Sequence, residues 1–177
     1  MKTSLLFGLF LVCAFSTVCA QKREIQEVKI GGNSYKVITI ESEKGKRSVW
    51  IEKATDSLLY LDPGYQWQES MEIKYDRSDM ESLVKEYIAP VVKQARLSFD
   101  DKETLFMSII FDLNGNMKEI TINFPGNLDI PMTVVDDFFN AVLSSGIKCT
   151  YKKGHLGLKK ARFIYVNDVI KLKELQE

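Results

Sequence analysis

The chain has 177 residues, 45% of them hydrophobic, with 24 Lys and Arg set against 24 Asp and Glu. That length suits one domain or two small ones. The balanced charge removes nucleic acid as a bulk partner, because meeting phosphates needs an excess of Lys and Arg.

Residues 1–20 read as a secretory signal peptide. Lys2 gives a positive start, residues 5–12 form an apolar core broken only by Gly8, and Val18 and Ala20 stand at minus three and minus one before Gln21. The apolar run is far shorter than the roughly 20 residues that span a bilayer. Gln21, Lys22, Arg23 and Glu24 follow it at once. Cys19 is the residue a lipid anchor would use, but Ser16, Thr17 and Val18 before it fit a lipobox poorly. The expected product is therefore a secreted or periplasmic protein beginning near Gln21, with no later membrane-spanning segment. Of three cysteines, only Cys149 lies beyond the leader, so no intramolecular disulfide forms and stability must come from the core. This suits a bacterial envelope better than the eukaryotic secretory route.

Residues 21–177 read as a single α+β domain, a mostly antiparallel sheet with two main helices packed on one side. Within it, 21–96 is a β-rich part plus a helix, and 103–170 is a hairpin-helix-strand module, with 97–103 between them. Ile25, Val28 and Ile30 lead into the Gly31-Gly32-Asn33 turn, and Tyr35, Val37 and Thr39 then alternate with Lys36, Ile38 and Ile40. Residues 48–52 form a third strand and 58–61 a fourth, ended by Asp62-Pro63-Gly64. The three-and-four spacing of Met80, Leu83, Val84, Tyr87 and Ile88 predicts a helix over 78–96, capped by Ser78 with Glu81. Pro90 inside it predicts a kink, or an end followed by a second short turn.

The last third is the most regular. A strongly apolar strand over 104–112 meets a return strand over 117–124 at Asn114-Gly115, the best two-residue hairpin signal in the chain. Ile120, Ile122 and Phe124 alternate with Glu119, Thr121 and Asn123, which predicts one buried and one wet face. A second helix spans 132–145 with Gly146 as its C-terminal cap. Strands follow over 147–151 and 161–166, then a charged tail that is short helix or frayed.

The strand 105–112, the turn 112–116, the strand 118–124, the helix carrying Phe138, Phe139 and Val142, and the strand 161–166 resemble the C-terminal domain of the periplasmic energy transducer TonB. That resemblance implies a small fold that adds a strand of a partner to an exposed sheet edge. The chain as a whole is also similar to small uncharacterised secreted bacterial proteins.

The chemistry-bearing residues give no catalytic, metal or cofactor site. His155 is the only histidine, and Ser144-Ser145-Gly146 lacks a nucleophile elbow. Cys149 in an apolar strand reads as a buried structural thiol. One Cys and one His cannot dominate a zinc site. Asp112, Asn114 and Asn116 have calcium-loop spacing, but Met117 and Asn123 stand where Gly and Glu are wanted. The pairs Asp100-Asp101 and Asp136-Asp137 point in different directions, and Asp136 reads as first-turn charge at a helix N-terminus. Two binding features remain. Tyr60, Tyr65 and Trp67 cluster as an aromatic platform for a sugar or peptide. Lys148, Lys152, Lys153, Lys159, Lys160 and Arg162 form a basic stretch able to meet an anionic surface. The reading is an exported, non-enzymatic binding protein of the periplasm or cell exterior, with a protein or glycan of the envelope as partner. The alternative is a small secreted hydrolase acting on envelope or glycan material.

Overall fold

The computed structural model describes residues 22–54, 57–64, 73–151 and 160–177. The leader, Tyr65, Trp67, Lys152, Lys153, His155 and Lys159 lie outside those residues.

The chain begins as a three-strand meander, β1 (Lys22–Ile30), β2 (Asn33–Glu41) and β3 (Arg47–Lys53). Gly31 and Gly32 alone join β1 to β2, both at positive φ, the combination a two-residue turn of this twist requires. A β-carbon on Gly31 would also come within 2.7 Å of Asp136 Oδ2, so the turn needs glycine twice over. After a short β4 (Ile73–Tyr75) come helices α1 (Arg77–Tyr87) and α2 (Ala89–Gln94). The hairpin β5 (Thr104–Phe111) and β6 (Met117–Pro125) is followed by α3 (Met132–Ser144), β7 (Cys149–Tyr151) and β8 (Ile164–Lys171).

Six strands form one wholly antiparallel sheet in the order β1-β2-β3-β6-β5-β8, and β4 and β7 pair apart from it. The pairing of β3 with β6 joins strands from either side of residues 97–103 in one sheet. The helices cover one face. Met80, Val84, Val92, Val135, Phe138 and Val142 pack into a single core with Leu105, Met107, Ile109, Ile120 and Ile122. Burying such side chains contributes about 1.5–3 kcal/mol each, which makes this face the main source of stability. The architecture is thus α+β, a mostly antiparallel sheet with its helices on one side.

Several local expectations are corrected. Residues 58–60 form a 3-10 turn, not a strand, with Ser57 as its cap. The first helix is capped at Asp76 rather than Ser78, and Asp76 turns its carboxylate to the Lys148 N–H at 3.0 Å. At Ile88, by contrast, the outcome is one of the two expected of Pro90: the helix ends and a second short one follows, with Pro90 in the first turn of α2, where its missing N–H is not needed. The β5–β6 turn is longer than two residues. Gly115 alone has positive φ, and its N–H donates to Asp112 O at 2.9 Å. The last strand starts at Ile164 and runs on to Lys171 because it pairs with the full length of β5. The tail then turns into a 3-10 helix, Leu172–Leu175, whose two leucines are buried.

Candidate functional site

Strand alternation sends every second side chain away from the helices. The registers place Ile38 beside Trp50, Trp50 beside Asn123, and Asn123 beside Phe106 on that second face. β8 adds Tyr165, Asn167 and Val169 opposite Ile110, Ser108 and Phe106, and β1 adds Arg23 and Ile25 opposite Ile40 and Ile38. The expectation of a simply wet face is corrected: Glu119 and Thr121 are buried on it. The reason is the 3-10 turn, Leu58–Tyr60. Glu119 takes the Ser57 hydroxyl at 2.5 Å on one oxygen and the Leu58 N–H at 2.6 Å on the other. Glu52 accepts from the Tyr60 hydroxyl at 2.6 Å. Two buried carboxylates therefore hold the turn on the sheet, each in charge-assisted hydrogen bonds.

Beside that turn lies a basin of about 340 Å³. Ile38, Ile40 and Trp50 are its sheet side, and Leu59, Tyr60 and Tyr165 complete it. Its charges are Arg23 and Glu52. Burial, then the Glu52 hydrogen bond, pushes the Tyr60 phenol up to about 12, with Arg23 acting the other way. Burial also raises Tyr165, whose hydroxyl donates to Ser108 at 3.0 Å. Further along the sheet, a second cavity of about 700 Å³ opens beside the β2–β3 turn. Ile40 lines both. Exposed large apolar side chains at this face are Ile25 at 58%, Tyr60 at 65% and Val169 at 45%; Leu143 on α3 and Leu113 in the β5–β6 turn are exposed elsewhere. The Thr121 hydroxyl, buried on the same face, has no hydrogen-bond partner among the described residues.

Of the aromatic platform expected from sequence, Tyr60 stands at the basin, and Tyr65 and Trp67 lie outside the described residues. Of the basic stretch, Lys160 and Arg162 are exposed, and the Arg162 N–H donates to Pro63 O at 2.8 Å beside the 3-10 turn. Lys148 donates to Asn116 Oδ1 at 3.0 Å; Lys152, Lys153 and Lys159 lie outside the described residues. Trp50, Tyr165, Ile38 and Arg23 were not singled out from sequence. The available signal was the apolar character of β2 on both sides, Val37 facing the helices and Ile38 facing away.

No family model matches the chain, and no curated protein matches it by sequence. A solved structure does. A DUF5043 family protein from Bacteroides uniformis ATCC 8492 superposes with a TM-score of 0.54 over 89% of this chain and 96% of that one, at 17% identity. At that identity the likeness is one of fold.

The remaining candidates have other roles. Burial, then Asp112 and Asp76, pushes the Cys149 thiol up to about 12, the opposite of an activated nucleophile. Asp112 binds its own turn, accepting from the Asn114 and Asn116 N–H groups at 2.9 Å each. Burial works to raise its carboxyl, but the Asn116, Lys118 and Asn114 hydrogen bonds prevail and hold it at about 2. Asp136 is not first-turn charge. It is buried and accepts from Tyr35, Asn33 and Asn140, which ties α3 to the β1–β2 end of the sheet. Among the described residues no three His, Cys, Asp or Glu side chains are grouped to hold a metal, and no helix is long and apolar enough to cross a membrane.

Proposed function

We propose that this chain is an exported, non-enzymatic binding protein of the bacterial periplasm or cell exterior, and that its ligand lies on the open sheet face. The observation that carries the reading is the aromatic basin on the sheet face that the helices leave open. The helices cover one face of the sheet, while Ile25, Tyr60 and Val169 remain exposed at the other around an aromatic basin. A concave, mostly apolar basin with a few polar groups at its rim is the usual form of a binding site. Binding is favoured over hydrolysis by the use of the two buried carboxylates. Glu119 is engaged at both oxygens by the 3-10 turn, so it is not placed to act as a general acid or base beside Glu52.

The test is an array of envelope glycans and peptides probed with the wild type and with Ile40→Asp, which puts a charge between the two cavities. The reading predicts signals that the substitution removes while circular dichroism stays unchanged. Signals that survive the substitution, or an array without signal, count against it. Export is checked separately by N-terminal sequencing of protein recovered outside the cytoplasm, with Gln21 expected first.

A further inference from the structure

We infer that the ligand of this face is an anionic oligosaccharide, with its sugar rings against Trp50 and its acidic groups at Lys46 and Lys102. The inference rests on the binding reading above and names the ligand class for that same face.

The two cavities lie side by side on this face, with Ile40 as their shared wall, so one extended ligand crossing Ile40 can reach both. One end is aromatic. Trp50 meets Phe106 edge-on, with ring centroids 5.7 Å apart, and stays half-buried rather than enclosed. Such a ring offers a flat apolar face, edged by a polar N–H, on which the C–H face of a sugar can lie. The other end is polar. Ser48, Thr104 and Asn127 supply short hydroxyl and amide groups that match ring hydroxyls as donors and acceptors.

The charges at that polar end are unequally free. Asp100 Oδ1 accepts from the Lys102 N–H at 2.7 Å and the Glu103 N–H at 3.1 Å, and Glu103 Oε2 accepts from the Asp100 N–H at 3.0 Å. Both acids are therefore turned to their own loop. Arg47 pairs with Glu41 at 3.5 Å. Lys46 and Lys102 line the cavity, and neither has a carboxylate partner among the described residues. They are the charges left for a ligand, and they call for an anion.

A peptide fits this place less well. Extended peptides bind sheets by adding a strand at an edge, where backbone groups are free. The two cavities instead lie on the face of β2 and β3, both of which are paired on each side. Recognition there falls to side chains alone, which is the way a glycan is read.

The experiment is calorimetric titration of the purified protein with three probes: an oligogalacturonate, its methyl ester, and a poly-glutamate peptide of equal charge. The inference predicts saturable binding of the oligogalacturonate, weakened by added salt. Removing the ligand's charge in the ester, or the protein's in the Lys46→Ala and Lys102→Ala double variant, costs roughly tenfold in affinity, the scale of a hydrogen bond to a charged group. The double variant weakens the ester less than it weakens the acid, and Trp50→Ala weakens both sugars. Both lysines are exposed, so the double variant folds even if Trp50→Ala does not. Equal binding of acid and ester overturns the inference, as does preference for the peptide. Failure of all three probes overturns the ligand class alone; the binding reading falls only if the array experiment also fails.

Discussion

Three tyrosines donate to buried carboxylates: Tyr35 to Asp136 at 2.6 Å, Tyr60 to Glu52 at 2.6 Å, and Tyr75 to Asp168. Each fastens a peripheral segment to the sheet. Tyr35→Phe keeps the edge-on ring contact with Phe139 at 5.7 Å and deletes one donor, while Asn33 and Asn140 still serve Asp136. The expected loss is about 1–2 kcal/mol in urea unfolding; a loss below about 0.5 kcal/mol would show that Asp136 does not need this hydroxyl. The same bonds set an alkaline limit. Burial first, and the carboxylate second, raise all three phenols above their ordinary value of 10.0. A raised folded value means that stability is fully present below about pH 10 and is lost as pH climbs through the folded values, with the more buried Tyr35 and Tyr75 carrying the effect and the largely exposed Tyr60 adding little. Tyrosinate absorbance should therefore rise together with unfolding, and early titration of these phenols in a folded protein would contradict the bonds. Tyr60 was legible in sequence because aromatic residues gather around the Asp62-Pro63-Gly64 turn. Asp136 was not, because Tyr35 lies 101 residues away and only the fold brings them together.

The 3-10 turn, Leu58–Tyr60, belongs to the next scale. A short apolar run such as residues 58–61 fits a strand or a buried turn equally well by periodicity. What decides is Glu119, 61 residues further on at Leu58, which supplies both acceptors for the start of the turn. Glu119→Ala should free the turn, at a cost of roughly 1–3 kcal/mol. Limited proteolysis should then cut between Ser57 and Leu61 well before the wild type is cut there. Resistance equal to the wild type would mean that packing alone holds the turn. The helix region shows the opposite case. Pro90 carries its own stop signal, so the division of α1 from α2 at Ile88 could be anticipated from local chemistry alone. The β5–β6 turn was placed by Asn114-Gly115, yet its length was set by Asp112, whose carboxylate gathers the N–H groups of Asn114 and Asn116.

At the scale of the whole molecule, one face of the sheet is core and the other is left open by the helices. The α+β class was readable because period-two and period-3.6 segments alternate with clear turn signals between them. The open face was not, because it depends on strand order: Trp50 reaches Asn123 and Phe106 only because β3 lies beside β6 and β6 beside β5. The edges point to the face as well. β1 carries Lys22, Arg23, Glu24, Glu27 and Lys29 along an outer edge, which discourages strand addition. On β8 the Val169 carbonyl accepts from Arg77 at 3.4 Å and the Val169 N–H donates to Asp168 at 2.8 Å, so that edge is plugged part-way along. The most direct measurement is an amide chemical-shift map of the isotope-labelled protein titrated with oligogalacturonate. The account predicts shifts at Ile38, Ile40, Lys46, Trp50 and Lys102, with α1 and α3 unmoved; shifts concentrated on those helices or along the β1 or β8 edge would contradict it.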